Sequence, residues 1–165
     1  MKKIKLLAPA GDLDKLKLAL LYGADACYIG GKEFSLRSHA SNFSLSDIKS
    51  ACDFAHALNK KIHVTCNIVM HNKNAKHIKE YLLELEKCGV DAIITSSLTM
   101  LEIATKYTNL EVHMSTQLSS LNESAIDFFY KHHAKRVVFA RECSLADIKD
   151  IKKVAKTEIE VFIHG

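Results

Sequence analysis

The chain has no paired or clustered cysteines. Cys27, Cys52, Cys66, Cys88 and Cys143 are dispersed, with no CxxC among them. An odd, scattered set excludes a disulfide framework and reads as reduced thiols of a cytosolic protein, each serving as a small core residue. No long apolar run occurs either. The opening MKKIKLLAPAGD offers a small-residue Ala8-Pro9-Ala10, but its apolar stretch is short and broken by Lys5. Neither a signal peptide nor a membrane span is expected, and the reading is a soluble cytoplasmic protein. Arginine is scarce, with only Arg37, Arg136 and Arg141 present. The net charge of +4 is therefore nearly all lysine; it permits contact with a polyanion but lacks the dense basic stripe of a dedicated nucleic-acid binder. GxGxxG, HExxH, P-loop and GxSxG motifs are all missing. His71 and His77 are six residues apart, which places them on different sides of a helix, so no metal site is assigned.

What remains is ordinary globular material. The 165 residues, 48% hydrophobic and 25% charged, suffice for one domain with a real core. The chain also repeats itself. YGADACYIGG (22–31) and CGVDAIITSS (88–97) share Gly-x-Asp-Ala followed by an apolar run, and HAKRVVFAR (133–141) is a looser third copy. In the first two copies an amphipathic helix ends at glycine and a buried strand follows. Extending the pattern predicts strands at 4–8, 26–30, 62–67, 92–96, 112–116, 137–141 and 159–164. Helices at 12–22, 46–58, 75–87, 98–107, 123–132 and 145–155 fit between them. Asp12, Ser44 and Ser144 stand where N-caps belong. Seven short, β-branched strands alternating with six helices imply a parallel α/β sheet. With Ala8-Pro9-Ala10-Gly11-Asp12 after the first strand in place of a dinucleotide fingerprint, the expected fold is a parallel (β/α) TIM-type barrel. It is an incomplete one, a single truncated domain over 1–165, because eight strands are needed for closure. The unclosed edge would favour self-association or a partner.

Polar residues gather at the strand C-termini, the face on which such barrels act. Asn67 ends the third strand, with His71 close behind; Ser115 and Gln117 end the fifth; Arg141 and Glu142 end the sixth; His164 ends the seventh. Arg37 lies in the long loop after the second strand. Each alone has an ordinary structural explanation, and His63 and His113 read as satisfied histidines on alternating strands. Together they describe a mouth. Arg37 and Arg141 are suited to clamp a carboxylate or phosphate, with Glu142 either steadying Arg141 or facing solvent. Asn67, Ser115 and Gln117 are suited to orient a polar substrate, and His71 and His164 to move protons.

The segments LLAPAGDLDKLKLALLYGADACYIGGKEFSLR, VTCNIVMHN, VHMSTQ, FARECS and EVFIHG form a specific ensemble. On them the chain resembles the N-terminal part of the peptidase U32 family, the collagenase-like proteins. Glu160, Phe162 and Gly165 match the opening of that family's Glu-x-Phe-x-x-Gly signature, so the resemblance implies a chain cut short before a cysteine-bearing continuation. It implies an iron–sulfur cluster only where those later cysteines are present, and no cofactor within this chain. It also implies two activities: proteolysis, and oxygen-independent hydroxylation of RNA, including the wobble uridine of tRNA, with a small carboxylate such as prephenate as co-substrate. No serine or cysteine here has a recognisable base partner, so the expectation leans to tRNA hydroxylation, with peptidase as the alternative. A non-catalytic binding module or half of a split enzyme is the third reading.

Overall fold

A computed structural model describes residues 4–32, 42–67, 77–119 and 122–164. Seven strands form one sheet: β1 (Leu7–Pro9), β2 (Ala26–Gly30), β3 (Lys61–Thr65), β4 (Ala92–Thr95), β5 (Glu111–Met114), β6 (Arg136–Val138) and β7 (Glu158–Glu160). All pairings are parallel and the strands lie in chain order, with β1 and β7 at the two edges. The connecting helices are α1 (Leu13–Leu21), α2 (Leu45–Ala57), α3 (Ile78–Lys87), α4 (Leu98–Tyr107), α5 (Glu123–Lys131) and α6 (Leu145–Val154). Because each strand pairs with the next one in the chain, strand order never reverses; the sheet curls continuously, which is the expected TIM-type barrel wall.

The repeat has a mechanical basis. Gly23 and Gly89, just past α1 and α3, take φ of 113° and 87°, a region where a side chain is strained. His133 holds the same place after α5 with φ 64°, so the loose third copy keeps the backbone turn without the glycine. The repeated aspartate ties the helix exit to the neighbouring strand. Asp25 Oδ2 accepts the Leu6 N–H at 2.9 Å, and Asp91 Oδ2 accepts the Ile62 N–H at 2.8 Å. The expected caps are present. Asp12 accepts from the Lys15 N–H, and Ser44 and Ser144 form capping boxes with Asp47 and Asp147.

One face of each strand packs against the helices. Cys27 and Ile29, Ile62 and Val64, Ile93, Val112 and Met114, and Val137 and Phe139 join the buried faces of the helices in one apolar cluster. Truncating a fully buried member such as Leu82 or Ile93 to alanine costs about 2–5 kcal/mol. By the alternation of the pleat, the opposite face carries Tyr28, His63, Thr65, Ile94, His113, Ser115, Arg136, Glu158 and Glu160 toward the barrel interior.

Only β2 has the limits expected from sequence; β3 and β5 stop two residues early and β4 one, and the three largest departures lie elsewhere. β1 begins at Leu7, with Ile4 and Leu6 exposed; β6 ends at Val138; β7 ends at Glu160, leaving Val161–His164 outside the ladder and exposed. All three lie at or beside a sheet edge, where alternation continues in the sequence after pairing has stopped. Among the described residues, no helix is long and apolar enough to cross a membrane.

Candidate functional site

The C-terminal ends of the strands converge on one mouth. Its floor is closed by hydroxyls that satisfy carbonyls of neighbouring strands: Thr65 Oγ1 donates to the Ile29 carbonyl at 3.1 Å, Thr95 to Cys66 at 3.0 Å, and Thr116 to Phe139 at 3.3 Å. Above this floor Asn67 Nδ2 donates to Ser115 Oγ at 3.3 Å, bridging β3 and β5 across the end of β4. Ser115 is buried and its Oγ also accepts from the Gln117 N–H, while Asn67 Oδ1 is buried with no hydrogen-bond partner among the described residues. The Gln117 side chain is exposed on the 3₁₀ turn Thr116–Leu118.

Arg141 sits at the β6 end with its guanidinium 4.2 Å from the centroid of the Phe162 ring. Both residues are exposed. Glu142 is exposed too and makes no ion pair with Arg141, the solvent-facing one of the two placements expected for it. His164 is exposed beyond β7. Arg37 and His71 lie outside the described residues. Of the expected site residues, the structure thus joins Asn67 to Ser115 and Gln117, and stations Arg141 on an aromatic shelf that sequence reasoning did not assign. Phe162 was visible in EVFIHG, but nothing local tied it to Arg141.

Below the mouth the interior is unusually polar. TIM-type interiors are filled mainly by Val, Ile and Leu; here His63 and His113 meet edge to face, with ring centroids 4.7 Å apart. The register explains the contact. His63 pairs with Ala92, which pairs in turn with Glu111, while His113 pairs with Ile94; the small Ala92 side chain leaves the two imidazoles room to meet diagonally across β4. They are 2% and 0% exposed, and among the described residues His63 Nδ1 and both His113 nitrogens have no hydrogen-bond partner, so the expectation of satisfied histidines is corrected for those three atoms. Burial, reinforced by His113 and Arg136 nearby, pushes His63 down to about 2. Burial also lowers His113, against the pull of Glu111.

A chain of charges borders this pair. Glu111 Oε2 lies 3.5 Å from His113 Nε2, too long for a good hydrogen bond but close enough for a charge–dipole attraction, and Lys61 Nζ is 3.4 Å from Oε1. His113 first, with Lys61, holds Glu111 down to about 2 against its partial burial. Arg136 donates from Nη2 to Glu158 Oε2 at 2.7 Å and from Nη1 to Glu160 Oε2 at 3.1 Å. Burial opposes the charge on Arg136, but the two carboxylates outweigh it and raise the group; Arg136 in turn lowers Glu158. With Phe139 N donating to the Glu160 carbonyl at 2.9 Å, this fork pins β7 to β6 just before Phe162.

The cysteines do not fit an iron–sulfur cluster. Cys27, Cys52 and Cys66 are buried in the apolar layer, where burial pushes the thiols up to about 11, 12 and 12, away from the thiolate form a cluster requires. Cys88 and Cys143 are half-buried on the helical side.

Comparison with known proteins places this geometry. The model of peptidase family U32 matches residues 11–165. The tRNA hydroxylation protein P1 of Bacillus subtilis (strain 168) is 45% identical over 99% of this chain and 39% of its own length. A protein of Methanocaldococcus jannaschii, named as an uncharacterized protease, is 38% identical over all of this chain and 41% of its own. The chain thus spans about two fifths of the curated relatives it matches. A solved U32 peptidase structure superposes with a TM-score of 0.80 over 96% of this chain and 68% of that one, at 11% identity, a likeness of fold.

Proposed function

This chain belongs to peptidase family U32, and from that premise we propose that it serves the hydroxylation of uridine in tRNA, in the cytoplasm. The observation that carries the reading is the chemistry of the mouth beside the 45% identity to a tRNA hydroxylation protein. Ser115, the central hydroxyl, accepts from Asn67 and from a backbone N–H, so its lone pairs are engaged, and among the described residues no base is hydrogen-bonded to it. Ser44 and Ser144 are committed as helix caps. An acyl-transfer nucleophile needs the opposite arrangement. The arrangement suits holding instead: Asn67 and Ser115 as a polar edge for an uncharged heterocycle, and Arg141 as a planar fork for a phosphate or a small carboxylate co-substrate. Arg37 from the second loop, Gln117, Glu142, His71 and His164 belong to the same mouth in this reading, the histidines as proton carriers.

The test is a strain lacking the gene, with hydroxylated uridine in bulk tRNA quantified by mass spectrometry. The modification should vanish, and the wild-type gene, with all the sequence it encodes, should restore it. Arg141→Lys, which keeps the charge and loses the fork, should restore less than about a tenth, with an unchanged melting temperature. A deletion strain that kept its hydroxylated uridine but lost gelatin cleavage would replace this reading with the peptidase one.

A further inference from the structure

The Arg141–Phe162 pair joins two residues that the chain separates by a whole helix and strand. Arg141 follows β6 and Phe162 follows β7; the 4.2 Å stack exists because the β6–β7 register aligns Val138 with Glu160 and the Arg136 fork locks that alignment. Ring and guanidinium are both at the surface, with Phe162 40% exposed. The contact therefore buries little and adds little to the core. Its effect is on the arginine. A free guanidinium on an exposed side chain samples many rotamers, and binding a planar or tetrahedral oxyanion through two parallel N–H bonds requires one of them. A ring against the guanidinium restricts the rotamers it can sample, and among the described residues no hydrogen bond or ion pair engages its N–H groups.

We infer that Phe162 is the positioning residue for Arg141: it holds the guanidinium plane so that the fork is presented ready-made to an anionic group of the substrate. The inference rests on the proposed function for the identity of the reaction, but not for the stack itself. Phe162 does not touch the reacting atoms; it acts through Arg141. An aromatic ring of any kind should serve at this position, whereas an aliphatic side chain of similar volume should not.

The experiment uses Phe162→Leu, Phe162→Trp, Arg141→Lys and the Phe162→Leu/Arg141→Lys double variant, expressed with all the sequence the gene encodes. Two readouts are taken: hydroxylated uridine restored to the deletion strain, and the order of the Arg141 Nε–Hε bond by NMR relaxation. Phe162→Leu should lower modification about tenfold with an unchanged melting temperature, and Phe162→Trp should return it to within about threefold of wild type. The double variant should be no worse than Arg141→Lys alone, because both changes remove one device. Nε–Hε order should fall in the leucine variant and recover in the tryptophan variant. Full activity in Phe162→Leu, losses that multiply in the double variant, or no rescue by tryptophan would overturn the inference. Should the deletion strain keep its hydroxylated uridine, the reaction assignment fails, and the NMR order in the wild-type, leucine and tryptophan proteins alone decides whether Phe162 holds the guanidinium.

Discussion

Acid should destabilise this fold well above the pH at which carboxylates protonate. His63 and His113 are buried as neutral imidazoles, with His63 pushed down to about 2 and His113 lowered as well. In the unfolded chain an imidazole titrates near 6.5. Below that value the unfolded state binds protons the folded state refuses, so stability is complete above pH 6.5 and is lost as pH falls toward the folded value. For His63 alone the loss between pH 7 and pH 5 is about 2 kcal/mol, and His113 adds to it in the same direction. That is a large share of a typical domain stability of about 5–15 kcal/mol. Glu111, held down to about 2, contributes stability that is lost only below the ordinary glutamate value of 4.5, so the window from pH 6.5 to 5 isolates the histidines. Urea denaturation at pH 7, 6 and 5 measures the slope directly. His63→Phe keeps an aromatic ring on His113 and removes the proton site, so its slope should be shallower than wild type by about one proton. His113→Phe should flatten the slope as well, whatever its absolute stability. A wild-type stability that stays level from pH 7 to pH 5, or a His63→Phe slope equal to wild type, would refute the picture of two buried neutral imidazoles.

Two more outcomes follow from the backbone and the interior charges. His133→Gly relieves a side chain held at φ 64° and should raise stability by roughly 1 kcal/mol, read from the urea midpoint; an unchanged or lower midpoint counts against left-handed strain at that turn. Arg136→Ala leaves Glu158 and Glu160 without their shared cation and should cost about 2 kcal/mol at pH 7, less than a fully buried pair because both carboxylates keep some solvent. That penalty should shrink at pH 4 as the glutamates protonate, and a cost independent of pH would assign the loss to packing instead.

The sequence by itself determined the elements that depend on near neighbours. Gly23 and Gly89 mark helix exits because only the local backbone matters there, and Asp12, Ser44 and Ser144 mark helix starts because a cap reaches three residues along the chain. The apolar period of the strands sufficed for a parallel barrel wall, and Asn67, Ser115 and Arg141 were legible as strand-end residues for the same reason. Tertiary structure alone decided three other things. It set where β6 and β7 stop, since pairing at a sheet edge depends on a partner strand and not on alternation. It placed Phe162 under Arg141, since that contact is made by register between two strands. Above all, it turned His63, Glu111, His113, Arg136, Glu158 and Glu160 inward. Alternation shows that a strand has a polar face, but curvature of the whole sheet chooses which face is enclosed; in a flat sheet the same residues would meet water, and in this curled one they meet each other.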